Sequence, residues 1–456
     1  MGGSKLEALL EEVLVDIRPT KEEHEREGKM IADLEERLKS MGARPILVGS
    51  LAKDTDLRTT KDVDMFILFD PKTTRNELEE SGLRIGKELF TSLGCEYEID
   101  YAEHPYVKGT YMGYVVEVVP CYDTKKPMSA VDRTPYHTEY VKKKIAENHR
   151  MADEIRLLKQ FMKGAKVYGA EAKVQGFSGY LTELLVIHYG SFVDSLKAAS
   201  GWKTEVLDPG SLWEDKGALK LFFPEANLIV IDPIDETRNA AAAVSRQRMG
   251  DFIAAASAFL ASPSREFFFP KPERIPERDE LLSAISSRKT RLIALLFEHP
   301  KINPNTLHSQ LRKTEAALIQ SIRDAGFRVG KSDFWTDEIS QSLILFDFSV
   351  WELPRLRHHV GPRVNQNPSD QERFKAKYAA CKPYVADGRW AVETERKYTE
   401  VGALLPVLIE QRHGFGKNLR EAARIDVIKG EEILGVGDDS FSCFLGRFLS
   451  ALNVTG

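Results

Sequence analysis

The sequence predicts an α+β chain of several domains: a mixed sheet with helices first, a mainly helical middle, and an α+β region at the end. Three observations predict it. Short β-branched runs alternate with amphipathic helices up to Tyr140, a helical period dominates from Tyr140 to Leu260, and a β-α-β-β order begins at Thr290. At 456 residues and 42% hydrophobic, the chain has room for roughly two to four cores. The breaks in pattern divide it into a mixed-sheet region at 1–140, a mainly helical region at 141–275 and a C-terminal region at 276–456.

The elements follow in order. Apolar spacing makes residues 4–17 and 21–41 helical, and Gly42 stops the second. Pro45–Val48 and Asp64–Phe69 read as strands, Arg75–Leu93 as a helix, and Glu96–Tyr101 and Tyr114–Val119 as two more strands, the last closed by Pro120. In the middle, Met151–Lys163, Gly179–Tyr189, Ser191–Ala199 and Arg246–Ala261 are helical, with a strand at Asn227–Ile231. Four prolines make Ser262–Asp279 a connector. Beyond it, Thr290–Phe297 is a strand, Asn303–Ala325 a helix, Phe334–Thr336 and Ser342–Trp351 a hairpin, and Arg389–Tyr398 a strand. Glu400–Gln411 and Lys417–Lys429 read as the closing helices.

Composition excludes some classes. No apolar run approaches the length of a membrane span and no charged-then-apolar leader opens the chain. Cys95, Cys121, Cys381 and Cys443 are far apart without metal-type spacing, which suits buried thiols in a reducing cytoplasm. A net charge of −5 argues against indiscriminate nucleic-acid binding. Local footprints remain: nine Lys or Arg against four acids from Val141 to Gln175, and the stretch Pro354–Arg363 with Arg355, Arg357 and Arg363. Such runs are by default solvated faces, but here they suit polyphosphate at one and a nucleic-acid backbone at the other.

The chemistry centres on residues 49–64. A Gly49-Ser50 turn leads to Asp62-Val63-Asp64, and the apolar run Met65–Phe69 follows at once. The period of a strand sets Asp62 and Asp64 on one face and Val63, Met65 and Ile67 on the other. Two acids at the mouth of a buried strand are costly unless something neutralises them. Carboxylate oxygens one pleat apart can share hard cations such as Mg²⁺, which complete their shell with water and substrate phosphate. Glu117 is a lone charge inside another β-branched strand. Alone it reads as an edge residue facing solvent; beside the first strand it becomes a third ligand.

Further motifs give the chain a family likeness. Val48-Gly49-Ser50-Leu51-Ala52-Lys53, Asp62-Val63-Asp64, Tyr101–Tyr106, Val118–Tyr122, Ser129–His137, Glu154–Lys159, Tyr168–Glu171, Gly176–Tyr180 and Asp232–Asn239, in this order, resemble the archaeal-type class I CCA-adding enzymes. These are tRNA nucleotidyltransferases of the polymerase-β-like superfamily, and the likeness runs essentially end to end. It implies a polymerase-β-like head with a mixed sheet, a helical central domain and a C-terminal tRNA-binding part. It also implies CTP, ATP and the tRNA acceptor end as substrates, Mg²⁺ as cofactor, and a cytoplasmic homodimer.

The resemblance distributes roles residue by residue. Asp62, Asp64 and Glu117 would hold the metals; Ser50 and Lys53 would grip the triphosphate from the turn. Lys159 and Tyr168 would reach the phosphates or ribose from the helical region, and His137 would lie on the incoming nucleotide. Arg238, with Glu117 and the backbone around Ala102 and His104, would read the base. Without the likeness, Lys159 is one more exposed lysine, Tyr168 a core aromatic, His137 a satisfied loop histidine, and Arg238 a local partner of Asp235 or Glu236.

This chain departs from the family pattern at three positions. Asp62 stands where glutamate is usual, Glu117 where aspartate is usual, and Lys53 where arginine is usual. Each methylene shifts a carboxylate by roughly 1.5 Å, and the opposite changes compensate if both acids serve one cation. Lys53 keeps charge and loses the bidentate fork. A poly(A) polymerase, an oligoadenylate synthetase, a small-molecule nucleotidyltransferase and a non-catalytic RNA-binding paralogue are the alternative readings.

Overall fold

The computed structural model describes residues 3–101, 103–124, 127 and 129–450, so Ala102 lies outside it. The chain forms two compact units, Met1–Lys271 and Pro272–Gly456.

The first unit opens with helices α1 (Gly3–Ile17) and α2 (Lys21–Ser40), then β1 (Pro45–Val48), the one-turn α3 (Gly49–Lys53), β2 (Asp62–Phe69) and α4 (Arg75–Leu93). Capping boxes start α2 at Thr20 and Glu23 and α4 at Thr74 and Glu77. Strands β3 (Tyr97–Tyr101), β4 (Pro105–Tyr111) and β5 (Tyr114–Tyr122) complete a five-stranded sheet of order β1-β2-β5-β4-β3, in which β2 and β5 are parallel. One face is dry. Val63, Met65, Ile67, Val107, Val116 and Val118 bury against Met30, Leu34 and Leu38 of α2 and Ile85, Leu89 and Phe90 of α4.

Two features of this sheet differ from the sequence reading. Strand β4 was not expected; it joins β5 through Met112 and Gly113, both at positive φ (50° and 81°), a tight two-residue turn without the usual Asn-Gly signature. Strand β5 also continues through Pro120 to Tyr122. Past Val118 it pairs only with β2, so the proline's missing N–H faces no neighbouring strand.

Helices α5 (Thr134–Glu147), α6 (Met151–Gly164), α7 (Gly179–Tyr189) and α8 (Phe192–Ala199) follow, then β6 (Glu205–Leu207), α9 (Lys216–Phe222), β7 (Leu228–Asp232), β8 (Asp235–Asn239) and α10 (Arg246–Ala261). Strands β6, β7 and β8 form a small sheet. Phe161, Phe177, Phe192, Phe252, Phe259 and Phe268 make an aromatic core that holds α6, α7, α8 and α10 together.

The second unit contains α11 (Arg278–Ser287), β9 (Arg291–Glu298), α12 (Pro304–Asp324), β10 (Arg328–Thr336) and β11 (Gln341–Val350). After these come β12 (Leu356–Arg363), α13 (Pro368–Lys377), β13 (Tyr384–Ala386), β14 (Arg389–Glu395), α14 (Val401–Gln411), α15 (Lys417–Arg420), β15 (Arg424–Lys429) and α16 (Asp439–Ser450). The expected helix 417–429 is corrected: only its first turn is helical, and Arg424–Lys429 is a strand that adds to β9 in the order β10-β11-β9-β15. Ile425 and Val427 pack into one core and Ile428 into the other, so burial on both faces selects the strand. The prolines at 270, 272 and 276 do precede α11, which takes the end of the expected connector. The thiols are also not uniformly buried: Cys121 is, and its thiol is pushed up to about 12 by burial, whereas Cys381 is exposed.

Candidate active site

The parallel register pairs Asp64 of β2 directly with Glu117 of β5, one pleat from Asp62. The three carboxylates therefore emerge on the face of the sheet opposite α2 and α4. Beneath them Val48, Phe66, Tyr106, Val119, Cys121 and Val131 form a second small core, so the acids stand at the rim of apolar packing. Burial first, and then the charges of Glu117 and Asp62, push the Asp64 carboxyl up to about 7. Burial likewise raises Glu117. Glu117 has two neighbours of its own, Lys108 Nζ at 3.5 Å and the Tyr106 hydroxyl at 3.5 Å.

Gly49 explains the turn before these strands. Its φ is +76°, and a Cβ there would lie 1.8 Å from Asp64 Oδ2. No other residue lets the backbone turn left-handed while a carboxylate rests against it. The turn places Ser50 and Lys53 beside the acids in a cavity of about 830 Å³. Its other walls include Thr60, Lys108, Lys159, Lys163, Tyr168, Glu171, Tyr180 and Glu183.

The lysines of α6 point inward, contrary to a solvated default. Lys159 is 3% exposed and Arg156 is equally buried, the latter paired with Asp54, Asp153 and Asp56. Lys159 and Lys53 both pair with Glu183, at 2.9 and 2.6 Å. Lys163, one turn beyond Lys159, donates to Thr60 Oγ1 at 3.1 Å and lies 5.5 Å from the Tyr168 ring centre. Burial raises the Tyr168 phenol, which stays protonated. Lys108 and Glu183 were absent from the sequence reading, and Lys163 entered it only as one of the nine bases from Val141 to Gln175. For Lys163 the signal existed, since i and i+4 on one helix share a face; Glu183 stands in the apolar run Leu181–Val186 and gave none.

His137 and Arg238 come together on a different carboxylate. Asp232 accepts from His137 Nε2 at 2.8 Å, Arg238 Nη1 at 2.7 Å, the Tyr180 hydroxyl at 2.9 Å and the Ile234 N–H at 3.0 Å. These donors outweigh its burial and hold it at about 2. The His137 ring also stacks on Tyr180, with centroids 3.9 Å apart. The local partner of Arg238 is thus Asp232; Asp235 pairs instead with Arg133. Arg238 lines a neighbouring cavity of about 750 Å³ with Arg133, Phe222 and Phe223, outside the carboxylate cavity. His104 is buried under α4, its Nδ1 3.2 Å from Glu79, and lines neither cavity. In the second unit, Arg355, Arg357 and Arg363 are exposed on or beside β12, and Arg355 pairs with Glu395 at 2.9 Å.

The donor types suit hard divalent cations: Asp62, Asp64 and Glu117 offer carboxylate oxygens at neighbouring strand positions, where burial first and like charge second raise Asp64. Among the described residues no group of three or more His, Cys, Asp or Glu side chains is gathered closely enough to hold a metal ion as it stands.

Comparison with known proteins gives three sequence-family matches. They are a nucleotidyltransferase domain at residues 28–147, the second domain of tRNA nucleotidyltransferase at 153–269, and the C-terminal domain of the CCA-adding enzyme at 288–430. The CCA-adding enzyme of Methanothermobacter thermautotrophicus is 36% identical over 96% of this chain and 97% of its own. That of Archaeoglobus fulgidus is 35% identical over 94% and 96%. That of Thermococcus kodakarensis is 36% identical over 94% of each.

Proposed function

This chain belongs to the archaeal CCA-adding enzymes, and from that premise we propose how its carboxylate cavity completes the 3′ end of tRNA. The activity is nucleotidyl transfer: C, C and A are added from CTP and ATP without a template, and pyrophosphate leaves. The observation that carries the site assignment is the Asp64–Glu117 register beside Asp62, facing two half-engaged lysines across one cavity.

In this reading Asp62, Asp64 and Glu117 would hold two divalent cations, with Mg²⁺ the expected species. Such ions, when bound, acidify the RNA 3′-hydroxyl and neutralise the departing charge. The protein's own part is placement. Gly49 lets the turn approach Asp64, so Ser50 offers its hydroxyl to the phosphates next to the metal-holding oxygens. Lys53 and Lys163, with protons free, contact the β- and γ-phosphates. Tyr168, kept protonated by burial, donates to phosphate or ribose. The 3′-hydroxyl then attacks the α-phosphorus in line, and catalysis is mostly positioning and charge neutralisation.

Asp232 gathers His137, Tyr180 and Arg238; Tyr180 lines this cavity and Arg238 the neighbouring one, and the nucleobase would be read there together with the RNA end. Arg238 offers a fixed fork of donors, and Asp232 aims it. His104 and the backbone at Ala102 remain assigned to base selection through the family resemblance, as do the homodimer and the cytoplasmic location. Among the described residues no helix is long and apolar enough to cross a membrane.

Replacing Asp64 by Ala tests the assignment. Addition of both C and A to tRNA lacking its terminal CCA is expected to fall at least 10³-fold, several kcal/mol of lost transition-state stabilisation, while tRNA retention on filters is unchanged. Substantial residual incorporation of either nucleotide would sink it.

A further inference from the structure

Glu183 is fully buried, yet three donors engage its carboxylate beside the cavity. Its Oε1 accepts from Lys159 Nζ at 2.9 Å and Thr55 Oγ1 at 2.8 Å, and its Oε2 from Lys53 Nζ at 2.6 Å. Burial opposes its charge, and the two ammoniums overcome it, holding the carboxyl at about 2.

The two lysines are engaged to different degrees. Lys159 also donates to the Thr55 carbonyl at 3.1 Å and to Thr55 Oγ1 at 3.0 Å. An ammonium has three protons, so every donor of Lys159 is committed to the interior. Among the described residues Lys53 has one hydrogen-bond partner, Glu183, which leaves two protons toward the cavity that it lines. A phosphate can recruit Lys53 without breaking a network; it can recruit Lys159 only by dismantling one. The same carboxylate that orders Lys53 also repels any anion that comes to it.

We propose that Glu183 is the internal counter-ion of the polyphosphate pocket: it holds Lys53 between turnovers, competes with phosphate oxygens for that ammonium, and so sets how tightly pyrophosphate is retained. Lys159 then anchors Glu183 and Thr55, with all three of its protons engaged in this state. The proposal rests on the reading of the cavity as the triphosphate site. It accounts for lysine at position 53, because a compact ammonium can pass between one carboxylate and a phosphate, whereas an arginine fork would engage both oxygens of Glu183.

The test is equilibrium binding of inorganic pyrophosphate to the full-length protein, without RNA and without divalent cations, in Glu183→Gln and in the same change combined with Lys53→Met. Glu183→Gln should bind pyrophosphate about tenfold more tightly, as removal of one like charge a few ångströms away requires. Most of that gain should vanish in the Lys53→Met background. In steady state the single variant should show a lower KM for CTP, a lower kcat and stronger product inhibition. A structural role alone would not tighten an anion. Unchanged or weaker binding by folded Glu183→Gln overturns the proposal, and so does a gain that persists in full without Lys53. Should Glu183→Gln not fold, Glu183→Asp keeps the charge but is a methylene too short to reach both lysines. It should then tighten pyrophosphate about threefold, and no tightening overturns the proposal. Failure of the triphosphate reading would show separately, as wild-type protein that adds no nucleotide to tRNA.

Discussion

Asp64 is a carboxylate whose neighbours are two more carboxylates and a backbone turn, so its charge is a burden that protonation or a cation relieves. Its carboxyl sits at about 7 against an ordinary 3.8, so the fold favours its protonated form. The ionised form therefore costs stability that sets in as pH rises past 3.8 and is complete above about 7. In divalent-free buffer Asp64→Asn should melt a few degrees above wild type at pH 8 and together with it at pH 3.5. A variant that melts lower at pH 8 contradicts this account of the site. The same logic shows what the residues disclosed in advance. Asp62, Asp64 and Glu117 were legible because a charge inside an apolar strand is conspicuous. Glu183 was not, because the sequence does not show which cations meet a lone glutamate in a mostly apolar helix, and only the fold brings Lys53 and Lys159 to it.

At the scale of elements, local pattern identified α2, β1, α4, α7 and α12 to within a residue or two, since each has a cap or a clear period. It failed where pairing decides. Strand β4 depends on a Met112-Gly113 turn that carries no strong signal, and β15 mimics a helix until both of its faces are covered. The Arg238 partner was misplaced for the same reason, because Asp232 enters through the β7–β8 bend and not through the nearest sequence acid. Strand β12 was visible only as charge. Arg357 and Arg363 are exposed there, and among the described residues neither forms an ion pair, whereas Arg355 is paired with Glu395. Arg357→Ala and Arg363→Ala should each weaken tRNA binding and lower the slope of log K against log salt by about 0.9. Arg355→Ala should do so less. Unchanged affinity and slope for both Arg357→Ala and Arg363→Ala would remove β12 from the RNA surface.

For the whole molecule, the order of motifs said more than any single one. The Gly-Ser turn and the Asp-x-Asp pair announce metal-assisted nucleotide chemistry in general. The succession through Asp232–Asn239, followed by a C-terminal α+β unit, narrows it to CCA addition, and the near full-length match to archaeal enzymes agrees. Selectivity for C, then C, then A is the property that separates this reading from a poly(A) polymerase using the same acids. The most direct measurement is to give the wild-type protein a tRNA lacking its last three nucleotides, with CTP and ATP singly and together, and to sequence the products. The account predicts two added C with CTP alone, CCA with both, and no tail of A with ATP alone. A homopolymeric A tail, or no addition in the presence of Mg²⁺, would contradict it.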